Sequence, residues 1–371
     1  MNDSSNPLPH YVFASPEIAE RNEKKTKEGL YSLAEAEIFW RDRYTFLHNN
    51  GYILRPRYHP DWKPSWLGTN RKPIFCEDSI MLSEPHIIDA TRTRPAGARV
   101  AIKRAERSSR EIEIAKYLST SRPIENHAVE LIALLQDPFD PRLCLMIMPY
   151  LRPFNDPEFI TTGEVVDFVA QTLEGLVYLH NQGVAHRDIG AANLMMDGRP
   201  LYPHDHHPMR LNHSSDGVFE LTPLSRTEHP VRYYFIDFGL SSLFRQGEPP
   251  IVLGRAGRDK EVPELSSEVP YNAYKVDVFA LGNLYYKEFL LKYHGLSFLQ
   301  SLIDSMKRRI PDQRPTAEAA RTQFYSIYAT LDSPLLRWRL RPRTESAPER
   351  VVYDTVAVAK EGIYHLKRLM S

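Results

Sequence analysis

HRDIGAAN, from His186 to Asn193, and IDFG, from Ile236 to Gly239, are the stretches on which the reading of this 371-residue chain turns. Asp188 offers a carboxylate able to orient a hydroxyl or take up its proton, Asn193 a neutral amide oxygen, and Asp237 a second carboxylate. Transfer of the terminal phosphoryl of ATP asks little covalent chemistry of a protein, but it requires neutralised charge and an acceptor oxygen in line with the leaving group. Hard oxygen ligands are what Mg²⁺ demands. The residue types therefore point to Asp188 as base or acceptor-orienting group, and to Asn193 and Asp237 as metal ligands.

In this order the two motifs resemble the catalytic loop and the metal-binding DFG of the eukaryotic protein kinase family. The resemblance runs from about Ile80 to Phe324. ARVAIK ends at Lys103, which the resemblance implies reaches the α- and β-phosphates of ATP, and Glu111 in REIEIAKYL is implied to hold that lysine. Glu111 shares a helical face with Ala115 and Leu118, whereas the competing Glu113 aligns with Tyr117 and Thr120. MPYL, comprising Met148, Pro149, Tyr150 and Leu151, resembles the hinge whose backbone meets the adenine edge. VPEL, Val262 to Leu265, stands in for the APE signature, and VDVFALG, Val276 to Gly282, resembles the start of the large central helix. Asp277 is implied to hold the catalytic-loop backbone, Arg314 to pair with Glu264, and His186 to pack beneath Phe238.

The resemblance implies an α+β, bilobal protein-kinase-like fold, with a small β-rich lobe carrying one helix and a large, mainly helical lobe. It implies ATP and Mg²⁺, with Asp188, Lys103 and Asn193 catalytic, and Lys103, Glu111, Met148, Pro149, Tyr150, Leu151 and Asp237 at the nucleotide. The expected divisions are an N-terminal extension and brace over 1–78, a small lobe over 79–151, a large lobe over 152–335 with an insertion at 197–232, and a helical extension over 336–371.

Departures from the family pattern bear on activity. Between Cys76 and Lys103 the only glycine is Gly97, so no G-x-G-x-x-G loop cradles phosphates, and a loop built on Ser83, Glu84 and Pro85 would cover ATP poorly. The link from Lys103 to Glu111 is short. Neither the lysine of serine/threonine kinases nor the arginine of tyrosine kinases follows Asp188, where Gly190 and Ala192 stand. Gly257 occupies the place of the threonine that supports the catalytic aspartate. Ser241 and Ser242 are the only hydroxyl side chains between Gly239 and Val262, so Arg187 has no evident phosphorylated partner, and ordering by Glu248 or Glu261 is expected instead of a phosphorylation switch. An active phosphotransferase acting on a protein or small-molecule hydroxyl and a non-catalytic scaffold, a pseudokinase, both stand as readings.

Composition narrows the classes without choosing among them. Lys+Arg 47 against Asp+Glu 47 gives no general attraction for nucleic acid or acidic membranes. Cys76 and Cys144, the only cysteines, argue against a disulfide framework; with no leader-like apolar run and no apolar run long enough to span a membrane, an intracellular protein, cytoplasmic or nuclear, is expected. Met1 to Pro16 reads as loose, with Tyr11, Val12 and Phe13 as docking points. Helices are expected over 28–47, 109–118, 274–291, 314–331 and 355–370, the last as a cap on the large lobe or a partner-binding helix. A further helix begins at a Thr161–Glu164 capping box and carries the stripe Val165, Phe168, Val169, Leu173, Leu176, Val177. The aromatic and proline-rich run Gly51 to Gly68 reads as a packing brace, with a substrate platform as the alternative. The insertion after Met196 carries His204, Asp205, His206, His207, His213 and His229, a set that can bind zinc, but it has no cysteine and not the spacing of a helical HExxH site, and it reads as a proline-rich surface loop. Its position, with RPLYPHDHHP and VRYYFIDFG, is similar to kinase-like proteins numerous in mushroom-forming fungi.

Overall fold

The computed structural model describes residues 7–370, with side chains through residue 359, and the chain divides into two compact units, each assembled from three stretches. The expectation for residues 1–6 lies outside the described residues. The first unit takes in the chain up to Ser108, then Leu131–Tyr150 and Arg199–Leu224. Residues 199–224, the bulk of the insertion expected within the large lobe, therefore group with this unit. Ser109–Glu130, expected in the small lobe, groups with the second.

In the first unit, helices α1 (Pro16–Lys27), α2 (Glu35–Asp42) and α3 (Tyr44–Asn49) precede five strands: β1 (Tyr52–Ile53), β2 (Ile87–Arg92), β3 (Arg99–Glu106), β4 (Ala133–Gln136) and β5 (Leu143–Pro149). They form one antiparallel sheet in the order β1-β2-β3-β5-β4. Trp40, Leu47, Leu54 and Tyr58 pack against Ile88, Val100, Ile102, Leu145 and Ile147, so the N-terminal segment supplies one wall of the sheet's core. Buried arginines fix that wall. Arg57 is bidentate to Glu37 at 2.7 and 2.9 Å, Arg43 to Asp137 at 2.5 and 2.9 Å, and Arg55 reaches Asp89 of β2 at 3.1 Å. Planar guanidinium–carboxylate forks of this kind satisfy both partners once they leave water.

The single helix expected over 28–47 is in fact two, α2 and α3, separated at Arg43 (φ −95°, ψ 0°), and it starts late. Gly29 adopts φ +95°, a conformation that ends α1, and the chain re-enters a helix only at Glu35. The segment Ser83 to Pro85 lies at the end of the long connection from β1 to β2, whereas β2 and β3 are joined by the tight turn around Gly97, at φ +83°. Part of the histidine-rich insertion is interior. His206 and His207 are buried, with His207 Nδ1 accepting from the Met209 and Arg210 backbone N–H groups at 3.0 Å. Among the described residues no group of three or more His, Cys, Asp or Glu is placed to hold a metal ion.

The second unit is mainly helical. Helix α4 (Arg110–Ser119) is followed by α5 (Thr162–Asn181), α6 (Ala273–Tyr285), α7 (Gln300–Met306), α8 (Ala317–Tyr328), α9 (Ser333–Arg337) and α10 (Ala347–Met370). The Thr161 hydroxyl accepts from the Glu164 N–H, while the Glu164 carboxylate caps the Ile160 N–H at 2.7 Å, one residue earlier than a strict capping box. Its stripe Val165, Phe168, Val169, Leu173, Leu176, Val177 and Leu179 is buried. Helix α6 is buried on nearly every side, as its largely apolar sequence requires, with Asp277 and Asn283 buried among the apolar residues. Short strands β6 (Arg152–Pro153), β7 (Val184–Ala185), β8 (Leu194–Met196), β9 (Tyr233–Phe235) and β10 (Ser242–Leu243) complete the catalytic-loop region, followed by the hairpin of β11 (Ile251–Gly254) and β12 (Ser266–Asn272). Helix α10 begins eight residues before the expected start; Val351, Val352, Tyr353, Val356 and Val358 along it are exposed, and Asp354 pairs with Arg339 at 2.6 Å. No helix among the described residues is long and apolar enough to cross a membrane. The architecture, a β-sheet unit and a larger helical one, is the α+β protein-kinase-like fold.

Candidate active site

Of the expected site residues, Lys103, Met148, Pro149 and Tyr150 belong to the first unit, and Glu111, Leu151, Asp188, Asn193 and Asp237 to the second. In the first, Lys103 sits mid-strand on β3, opposite Ile87 of β2 and Met146 of β5. Met148 and Pro149 end β5. Proline lacks a backbone donor, and the Tyr150 N–H is engaged by the Arg99 carbonyl at 3.3 Å. The Tyr150 hydroxyl donates to the Pro208 carbonyl at 2.9 Å, tying the end of β5 to the insertion.

In the second unit the catalytic loop hangs from a buried carboxylate. Asp277, on α6, accepts from the backbone N–H groups of His186 and Arg187, both at 2.7 Å, and lies 3.1 Å from His180 Nε2. That clamp holds Arg187 at φ 65°, a left-handed conformation a long side chain adopts only under constraint. His186 is fully buried, its Nδ1 accepting from the Asp188 N–H at 3.3 Å and its Nε2 donating to the Ile236 carbonyl at 3.0 Å. Its ring packs on Phe238 at 5.2 Å. The histidine is thus a spacer between the two motifs.

Asp188 is held from two sides. Its Oδ1 accepts from the Arg258 backbone N–H at 2.6 Å and its Oδ2 from the Asn193 amide at 2.8 Å, and the same amide nitrogen bonds the Asp188 carbonyl at 2.8 Å. The nitrogen of Asn193 is therefore spent on Asp188, and its oxygen is the end left to face a cation. Asn193 immediately precedes β8 and Ile236 follows β9, in a hairpin whose register pairs Leu194 with Phe235 and bonds the Ile236 N–H to the Asn193 carbonyl at 3.1 Å. Asn193 and Asp237 consequently stand at the same end of one hairpin, while the insertion leaves from the other. Asp237, at φ 62°, accepts from the Gly239 N–H at 3.4 Å. A Cβ added at Gly239 would lie 3.9 Å from a Glu111 carboxylate oxygen, which places the first turn of α4 beside this motif. Amide and carboxylate oxygens at one hairpin end fit a hard divalent cation.

Arg187 corrects one expectation. Its guanidinium donates to Ser242 Oγ at 3.1 Å and to the Leu253 carbonyl at 3.2 Å, whereas Glu248 caps the Arg245 N–H and Glu261 pairs with Lys287 at 2.6 Å. Neither glutamate reaches the arginine. Arg258 was missed altogether. The signal for it was Gly257, which adopts φ +120° where the family carries threonine, and whose Cβ, if present, would come within 2.9 Å of the Arg187 carbonyl. A main-chain N–H here serves the aspartate that a hydroxyl would otherwise serve. The Arg258 guanidinium also lies 3.4 Å from Asp188 Oδ2, on a side chain 59% exposed. Further out, Glu264 and Arg314 form a fork at 2.5 and 2.8 Å with the guanidinium over the Phe279 ring.

Fold and motif geometry together define a protein kinase domain. The chain matches the family described as "Protein kinase domain" over residues 91–298, more than half its length, and it belongs to that family. Among curated proteins, it is 24% identical over 235 residues to "Probable serine/threonine-protein kinase MARK-B" of Dictyostelium discoideum, covering 59% of this chain and 25% of that protein. It is 29% identical over 132 residues to "Serine/threonine-protein kinase bur1" of Neurospora crassa, covering 30% of this chain and 23% of that one. A 31-residue stretch is 64% identical to "MAP3K epsilon protein kinase 1" of Arabidopsis thaliana, covering 8% and 2%. The chain spans a quarter or less of the length of these relatives.

Proposed function

We propose that this chain transfers the γ-phosphoryl of ATP, taken with Mg²⁺, to a hydroxyl group on a protein. The observation that carries the reading is the double support of Asp188, whose carboxylate is aimed by the Arg258 N–H and the Asn193 amide above a backbone clamped by Asp277. A carboxylate held in one orientation is what an acceptor hydroxyl needs, since positioning and proton uptake are most of what the protein contributes to this reaction. When bound, Mg²⁺ supplies charge neutralisation on the phosphates. Asn193 and Asp237 would hold it through their oxygens, Lys103 would meet the non-transferred phosphates, and Asp188 would orient the hydroxyl and accept its proton. Two free, buried cysteines are consistent with a reducing, intracellular setting. The long insertion between β8 and β9 supports kinship with the kinase-like proteins of mushroom-forming fungi.

The competing reading is a non-catalytic scaffold, favoured by two specific observations: the segment joining β2 and β3 is a short turn with a single glycine, and a proline interrupts the backbone donors after Met148. Asp188→Asn separates the two. Under the phosphotransferase reading it retains fold and ATP affinity while lowering transfer by about 10²-fold or more, measured with radiolabelled ATP against a protein array. Labelling equal to the parent across every acceptor would remove the enzyme reading.

A further inference from the structure

We propose that the depression of about 650 Å³ lined by Arg255, Lys260, Lys307 and Arg309, with Glu261 the one carboxylate among its lining residues, is a subsite for an anionic side chain, a carboxylate or a phosphoryl group, carried by the acceptor protein near the hydroxyl that Asp188 orients. The proposal rests on the phosphotransferase reading and adds the acceptor's chemistry to it.

Chain continuity ties the depression to the base. The stretch that contributes Arg255 and Lys260 also contributes Arg258, whose N–H bonds Asp188. An acceptor lying along this stretch would have its hydroxyl and a neighbouring side chain in reach of both places.

The charge is local, since the whole chain carries equal numbers of basic and acidic residues. Among the described residues none of the four lining cations is in an ion pair. Lys260 donates to the Arg255 carbonyl at 3.2 Å, and the Lys307 ammonium lies over the Tyr286 ring at 3.9 Å. The lining carboxylate, Glu261, and the carboxylates beside it are spoken for. Glu261 is bound by Lys287 at 2.6 Å, which keeps it ionised and neutralised, Asp259 accepts from the Asn283 amide at 2.8 Å, and Glu264 is forked by Arg314. Burial draws the Lys307 pKa down, so an arriving anion would relieve a desolvated cation. The floor is Val262 and Phe279, both buried, and a low-dielectric wall behind several cations focuses their field outward.

The test measures binding apart from transfer. Fluorescein-labelled peptides with a central serine flanked by glutamate, by phosphoserine, by glutamine or by lysine are titrated with the full chain by anisotropy, without ATP. The glutamate and phosphoserine peptides are expected to bind about tenfold more tightly than the glutamine peptide, an advantage that shrinks at about 0.5 M salt. In Arg255→Glu/Arg309→Glu, both exposed positions, the preference should turn towards the lysine peptide; the milder Lys260→Gln should weaken acidic peptides only, with unchanged melting. Equal binding of glutamate and glutamine peptides, or a preference that survives the charge reversal, overturns the subsite. Phosphotransfer is scored separately: acidic peptides bound without transfer remove the kinase reading and leave the anion site, whereas transfer indifferent to flanking charge does the opposite. Tighter binding of phosphoserine than glutamate identifies an already phosphorylated acceptor, and parity identifies a plain acidic one.

Discussion

Replacing Asp277 by alanine tests whether one buried carboxylate sets the geometry of the catalytic loop. Its two oxygens accept from two successive backbone N–H groups at 2.7 Å, and the residue is fully buried, so water cannot take over as acceptor. Each hydrogen bond to a charged group is worth about 2 kcal/mol, and an orphaned buried donor costs a similar amount. Asp277→Ala should therefore destabilise the protein by about 4 kcal/mol, and Asp277→Asn, which keeps one acceptor, by about half of that. For a unit of this size each kcal/mol lowers the melting temperature by roughly 2–4 °C, giving a drop of about 10 °C for alanine. Calorimetric melting of parent, alanine and asparagine variants supplies the measurement. Because Arg187 would be released from its left-handed conformation, the alanine variant should also lose transfer activity at temperatures where it remains folded. An alanine variant that melts within about 2 °C of the parent would refute the clamp.

Three further outcomes follow from the same geometry. Asp237→Ala and Lys103→Ala should each weaken ATP binding severely, with binding to the parent dependent on Mg²⁺; isothermal titrations indistinguishable from the parent would remove the proposed nucleotide site. Treatment with phosphatase should leave activity unchanged, since Arg187 is already engaged by Ser242 and Leu253, whereas Ser242→Ala should reduce it; the reverse pattern would establish a phosphorylation switch. Burial lowers the pKa of His127, so the unfolded chain takes up that proton first. Stability should accordingly be complete above the ordinary histidine value near 6.5 and fall as the solution is acidified, and His127→Gln should flatten the slope of melting temperature between about pH 7 and pH 5.

The chemistry-bearing part of the fold was legible because its constraints are local in sequence. HRDIGAAN and IDFG carry their residue types at short fixed spacings, and α5 announces itself through a helical apolar stripe. What stayed hidden had no such signature. Helix α1 buries none of its residues, so no apolar periodicity marks it; Ser15 capping Ile18 and Pro16 in the first turn were its only signals. Strand β1 is two residues long and owes its existence to a partner far along the chain. The Arg258 N–H belongs to the backbone, and only the glycine before it hints at the conformation. His206 and His207 look like surface residues in sequence because their composition is polar, yet the fold spends their ring and backbone atoms internally.

The interleaving of the two units has a consequence for how this protein can be made. Each unit is assembled from three separated stretches, and the chain passes from one to the other at residues 108, 130, 150, 198 and 224. Neither half can be cut out as a continuous fragment. A ribosome that has delivered residues 1–150 has yet to supply the 199–224 piece of the first unit, so completion of that unit waits on residues 151–198 of the second. Long-range closure of this kind slows folding and favours co-operative assembly over stepwise addition. Deleting residues 199–224 would remove a piece of the first unit by editing the hairpin of β8 and β9 in the second.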